Sequence, residues 1–285
     1  MLGFLNVYKP AGMSSAAVVG KIKKHFNIKK VGHMGTLDPL ACGVLPIAVG
    51  KATRMFDYFL NKQKTYVVEA EFGYETPSLD LGTEVHKTTN VVPNLEQIVN
   101  NCTMFVGEIS QIPPIYSAKS VNGERAYDLA RKGEEIELKP VTVQIFKFEC
   151  LGGNDKRFKF IITCSSGTYV RSLIRDLAKS LNSLATVTML ERVDSGYFKK
   201  ESSANLDDLL SLNSLDEKLV SVTDVFDYKI VEITNEEFNL LRNGVAINTK
   251  HNFAENFFVV NNKNVIGVGK IELGKIKLKT FLLED

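Results

Sequence analysis

The sequence predicts an α+β fold with a mixed, largely antiparallel sheet, followed by a small β-rich C-terminal unit. Three observations carry that expectation. Strand-like and helix-like segments interleave through the first two hundred residues without a regular β-α-β repeat. Two runs rich in β-branched and aromatic residues, 141–149 and 156–164, flank Leu151-Gly152-Gly153-Asn154-Asp155, a turn signal that makes them a hairpin. After about residue 200 an acidic stretch gives way to short β-like runs. With 285 residues and 44% hydrophobic content the chain can bury a large core and an appendage, divided here as 1–225 and 226–285.

In chain order, residues 65–72 mix β-branched and aromatic side chains with partial alternation, so a strand is expected with Tyr66 near its start. Helices are expected around 94–101 and around 124–132, the second stopped by Gly133. Over 169–182, Leu173, Leu177 and Leu181 fall four apart and define an apolar face, with Ser166-Gly167-Thr168 as the start signal. Arg171 then lies in the first turn, where the helix dipole disfavours a cation, although a surface ion pair would also account for it. Thr234 and Glu237 have capping-box spacing and open a short helix that Gly244 ends. Residues 257–260, 264–270 and 275–282 read as strands of the C-terminal unit.

Charge is polarised along the chain. Residues 1–64 hold ten Lys/Arg against Asp38 and Asp57, net +8, and residues 201–240 hold ten Asp/Glu against Lys218 and Lys229, net −8. Lys21, Lys23, Lys24, Lys29 and Lys30 form a basic cluster, which suits either a polyanion contact or a solvated helix face. Four scattered cysteines with no Cys-x-x-Cys pair indicate neither a zinc site nor a disulfide framework, and point to a reducing cytoplasm. No segment has the form of a signal peptide or reaches the length of a membrane span, so neither export nor a membrane partner is expected. The four histidines lack metal-ligand spacing, and Gly50-Lys51-Ala52-Thr53 lacks the first glycine and the hydroxyl of a phosphate loop.

What remains is a carboxylate. Gly32-His33-Met34-Gly35-Thr36-Leu37-Asp38-Pro39-Leu40-Ala41-Cys42-Gly43-Val44-Leu45-Pro46 contains one acidic residue in a glycine-punctuated stretch without Lys or Arg. Pro39 removes an amide donor and steers Asp38 toward extended geometry, so the segment reads as a constrained loop presenting Asp38. Asp followed by Pro also fits a helix N-cap and first helical residue.

These residues resemble the catalytic motif of the TruB family of tRNA pseudouridine-55 synthases of bacterial type. Further matches follow in order: Tyr8-Lys9-Pro10 with Gly12-Met13-Ser14-Ser15, Lys64-Thr65-Tyr66, Gln111 through Lys119, and Gly167-Thr168-Tyr169-Val170-Arg171-Ser172-Leu173. The resemblance covers roughly residues 1–200 and implies a pseudouridine synthase-like catalytic domain. It implies that Asp38 is the nucleophile, that Arg171 holds it ionised, and that Tyr66 stacks on the uracil and moves the C5 proton. Asp80, in Thr76-x-Ser78-x-Asp80, would buttress Arg171. His33 would fill the space left by a flipped nucleotide, and Leu190 would pack against the base. Lys9 and Pro10 would support the loop from behind. Residues 111–140, with Lys119 and Arg125, resemble an RNA-gripping insertion, and the C-terminal unit resembles a PUA-type RNA-binding module. Leu190-Glu191-Arg192-Val193 departs from the commoner Leu-Arg-Arg-Thr pattern.

The implied activity is guide-independent isomerisation of the T-loop uridine of tRNA, with base flipping, no cofactor and no metal, by a cytoplasmic monomer. Two alternatives stand beside it. One is an RNA-binding or tRNA-folding protein that has lost catalysis, which would have no need for Asp38, Tyr66 and Arg171 together. The other is a guide-RNA-dependent synthase, disfavoured by the short N-terminus and small tail.

Overall fold

The computed structural model describes residues 1–60, 62–117, 119–121, 123–126, 129, 132 and 138–283. Among them, ten strands form one sheet. Its main path runs Ala204–Asn205, Gly3–Lys9, Cys42–Val49, Ala185–Ser195, Lys64–Phe72, Arg157–Cys164, Val141–Asn154, Gly107–Gln111. Within this sheet, among the described residues, only Gly3–Lys9 with Ala204–Asn205, and Ala185–Ser195 with Cys42–Val49, pair in parallel. The fold is α+β with a mixed, largely antiparallel sheet, as the sequence predicts.

Alternation decides which side of the sheet each residue faces. In Cys42–Val49, Leu45, Ile47 and Val49 join a core with Leu173, Ile174 and Leu177 of the helix Val170–Ser180, while Val44 and Ala48 face the other way. There they meet Phe4, Phe59, Phe198 and Phe226, together with Phe258, Val260, Val268 and Leu282 of the C-terminal strands. The centre of the sheet is therefore covered on both faces, by helices on one and by the C-terminal segment on the other. That segment has its own five-stranded sheet, Ile230–Glu232, Phe257–Asn261, Asn264–Glu272, Lys275–Phe281 and Ile247–Asn248.

Most expected elements occur close to their expected bounds. The strand at 65–72 is Lys64–Phe72, the helix at 94–101 is Leu95–Cys102 capped by Asn94, and Thr234 and Glu237 close a reciprocal capping box. Three details differ. The 141–164 hairpin turns at Asp155-Lys156, and the expected turn residues Gly152 and Gly153 continue the strand beyond a bulge. The helix expected over 169–182 runs Val170–Ser180, and its Ser166-Gly167-Thr168 start signal lies in the preceding loop. Glu124–Arg125 is a strand pairing with Ser120–Val121, where a helix was expected to begin; Arg131 and Gly133 lie outside the described residues.

Candidate active site

Asp38 sits on a loop between the strands Val31–His33 and Cys42–Val49, not at a helix N-cap. Pro39 occupies the second position of a turn closed by the Ala41 amide donating to the Asp38 carbonyl at 3.1 Å. The loop is fastened from behind. Ser15 Oγ accepts from the Leu37 amide and donates to the Leu37 carbonyl, both at 2.9 Å. Fully buried Lys9 donates to the carbonyls of Pro10, Met13 and Pro39. Burial pushes the Lys9 ammonium down to about 8. Gly43, at φ 106°, lies against the Arg192 backbone, where a Cβ would approach the Arg192 carbonyl oxygen to 2.2 Å.

Arg171 comes from the opposite side, in the first turn of Val170–Ser180. One guanidinium nitrogen lies 2.8 Å from Asp38 Oδ2 and the other 3.4 Å from Asp80 Oδ2. The same nitrogens donate to the carbonyls of Ser78 at 2.7 Å and Tyr116 at 3.0 Å. Asp80 is set by a tight turn in which Thr76 and Ser78 hydroxyls donate to its carbonyl. Desolvation pushes the Asp38 carboxyl above its usual range; Arg171 opposes this, and the nearby Asp80 charge adds to it. The guanidinium thus offsets part of the cost of ionising Asp38.

A cleft of about 280 Å³ opens over this pair, lined also by Tyr66, Lys119, Tyr169, Leu190 and Lys64. Tyr66 stands directly across from Arg192 on paired strands, and burial raises its phenol above the ordinary value. Lys64 is buried and donates to the carbonyls of Phe59 and Lys62 and to Ser166 Oγ; burial and Arg192 bring it to about 8. Leu190, 9% exposed, lines the cleft and also the smaller hollow behind the Asp38–Arg171 pair.

His33, half-buried at the end of its strand, is not among the residues lining the cleft, and burial together with nearby Arg192 keeps its imidazole pKa low. The Arg125 side chain lies outside the described residues. Glu191, the departure from the commoner pattern, has partners: it accepts from the Tyr8 hydroxyl at 2.7 Å and pairs with Lys200 at 2.6 Å. Motif reading passed over Arg192, Lys64 and Tyr169 as site residues. All three lie inside the motifs that carry the resemblance, Arg192 in the segment that departs at Glu191, but no local pattern signals that Arg192, 1% exposed, is buried at the cleft.

A carboxylate, a guanidinium and a phenol around one cleft can support nucleophilic attack and proton transfer on a planar ring. Residues 23–170 match the N-terminal domain of the TruB family of pseudouridylate synthases. A tRNA pseudouridine synthase B of Rickettsia bellii (strain OSU 85-389) is 42% identical over 238 residues, 82% of this chain and 81% of the relative. That of Clostridium perfringens (strain 13 / Type A) is 38% identical over 296 residues, covering all of both chains. A chain in the crystal structure of a Cbf5–Nop10–Gar1 complex superposes with a TM-score of 0.73 at 23% identity, over 99% of this chain and 85% of that one. At that identity the likeness concerns the fold.

Proposed function

The chain belongs to the TruB family of pseudouridylate synthases, and we propose that it isomerises the T-loop uridine of tRNA, position 55, to pseudouridine without a guide RNA. The observation that carries this reading is the Asp38–Arg171 pair at 2.8 Å beside Tyr66 in one cleft. Curated relatives 38–42% identical are tRNA pseudouridine synthases B, which supports tRNA as the substrate. The exposed lysines at 21, 23, 24, 29 and 30 give the N-terminal part a surface suited to phosphate contacts.

A uridine reaches Asp38 only when it leaves the base stack, so the nucleotide flips into the cleft at a cost of about a few kcal/mol, offset by contacts with the protein. Asp38 then either adds to C6 of the uracil, after which the N1–C1′ bond breaks and the carboxylate is expelled from C6 once C5 has joined C1′, or takes the C2′ proton as the N1–C1′ bond breaks, giving a glycal to which that proton returns when C5 bonds to C1′. Arg171 steadies the carboxylate in both, and Leu190 packs against the ring. After the base rotates and C5 bonds to C1′, the Tyr66 oxygen handles the C5 proton. Asp80 braces Arg171, and Lys9 with Pro10 backs the loop. The residues after 225 provide a further RNA contact as a PUA-like module.

Purified protein alone, given a T-arm RNA tritiated at C5 of uridine, should release label to solvent from one uridine. No release despite binding would favour an RNA-folding protein, and release only with an added guide would exclude guide independence.

A further inference from the structure

We infer that Phe56 and Leu60 form a stacking shelf at the mouth of the cleft, on which a base next to the flipped uridine rests. These residues belong to a short helical turn, Phe56–Phe59, that continues the 3-10 helix Gly50–Met55, and Leu60 at its end keeps helical dihedrals. The sides of this turn are divided. Phe59 is 2% exposed and packs against Phe4, Phe198 and Phe226. Asp57 and Tyr58 border a separate hollow, shared with Tyr228, Lys279 and Thr280. Phe56 and Leu60, four residues apart and therefore on one face, border the cleft that holds Asp38, Tyr66 and Arg171.

Single exposed apolar residues are ordinary on a protein surface, but these two share a face, are 39% and 46% exposed, and open onto one cleft. Phe56 makes no ring-to-ring contact among the described residues, so its face is available. Arg171, Leu190 and Arg192, all buried, form the floor of the same cleft. When the uridine enters toward that floor, each neighbouring nucleotide stays tethered to it by one phosphodiester and lies at the mouth. It has also lost a stacking partner. A flat aromatic face extended by an aliphatic side chain, with no polar atom on either, stacks with a base without reading its hydrogen-bonding edge. The shelf therefore recognises the presence of a base at the neighbouring position and tolerates any of the four.

The inference rests on the uridine-flipping reading but is read by affinity, so binding of T-arm RNA without label release would fail that reading alone. Equilibrium binding is measured for a T-arm RNA and for two versions made abasic at the nucleotide 5′ or 3′ of the target uridine. Phe56→Ala should weaken binding of the intact RNA by about fivefold or more, and Phe56→Tyr, which keeps the ring, by about twofold at most. One of the abasic RNAs should bind the parent more weakly and lose nothing further with Phe56→Ala. Exchanging the base at that position for any other should leave parental affinity nearly unchanged. An equal loss on all three RNAs, no loss on any, or the same loss with Phe56→Tyr as with Phe56→Ala would overturn the proposal. Should Phe56→Ala fail to fold, the parent decides by NMR, with Phe56→Tyr assigning the ring signals. The Phe56 ring protons should move upfield when intact RNA binds and stay in place with that abasic RNA; unmoved signals would refute the shelf.

Discussion

Asp38 is held between desolvation and the Asp80 charge, which disfavour its ionised form, and Arg171, which favours it, with desolvation the largest influence. Because the proposed chemistry needs the carboxylate, the acid limb of the single-turnover rate should lie above the ordinary carboxylate range near pH 4. Asp80→Asn removes a raising charge and should move that limb to lower pH, whatever it does to the maximal rate. The stability consequence follows from the same sign. A carboxyl whose folded pKa exceeds its unfolded value costs stability once ionised; the cost is complete above the folded pKa and absent below the unfolded one. Asp38→Asn should therefore abolish turnover yet melt no lower than the parent at pH 7, with the difference shrinking as pH falls through the carboxylate range. A variant that turned over within tenfold of the parent would remove Asp38 from the chemistry. Thermal melts at pH 7 and pH 4 beside tritium release check both halves.

At the scale of elements, the helix Val170–Ser180 delivers Arg171, yet its Tyr169 N-cap supplies no side-chain cap. The edge strand supplies it instead. Gln111 Oε1 accepts from the Tyr169 amide at 2.8 Å, and the next residue's carbonyl accepts from Ser172 Oγ at 2.9 Å and from Arg175 at 3.0 Å. Gln111 is fully buried, so Gln111→Ala leaves that amide unsatisfied and should cost about 1–3 kcal/mol in denaturant unfolding. Since Arg171 lies two residues on, the saturated rate should fall more than KM rises; a stability loss with an unchanged rate would separate the cap from catalysis. Such long-range caps mark the limit of what the sequence makes legible. Alternation announced Lys64–Phe72, and fourfold leucine spacing announced the helix, because those signals repeat locally. The Asp38 loop was legible through an uncommon combination of glycines, proline and a single acid. Gln111 to Tyr169 and the Arg192 donation to the Gly35 carbonyl were not, because such contacts depend on which strands become neighbours. The hairpin turn was misplaced for a related reason: Gly152, at φ 118°, serves a bulge.

Across the whole molecule, the C-terminal segment is bound to the rest by a shared apolar cluster. Phe258, Val260, Val268 and Leu282 pack with Phe4, Phe59 and Phe198, all at most 6% exposed. Removing large buried apolar side chains costs about 2–5 kcal/mol each, and a whole domain has only about 5–15 kcal/mol in hand. A chain ended at residue 225 should thus lose its cooperative melt, and weaker tRNA binding by it would report on folding. The RNA-binding proposal for this segment needs a surface change instead. Lys277 is paired with Glu272, and Lys279 lies over the Tyr58 ring, so reversing either disturbs internal contacts. The Lys275 side chain is exposed and makes no ion pair or hydrogen bond among the described residues, which makes it the cleaner probe. Lys275→Glu should leave the melting temperature unchanged, weaken tRNA binding several-fold, and reduce the dependence of log affinity on log salt by about one. Its effect on the rate at saturating RNA should be small, because the cleft lies in the first part of the chain. Unchanged affinity and salt slope would mean that tRNA does not contact this face, leaving the segment as the cover for the Phe4–Phe59 side of the sheet.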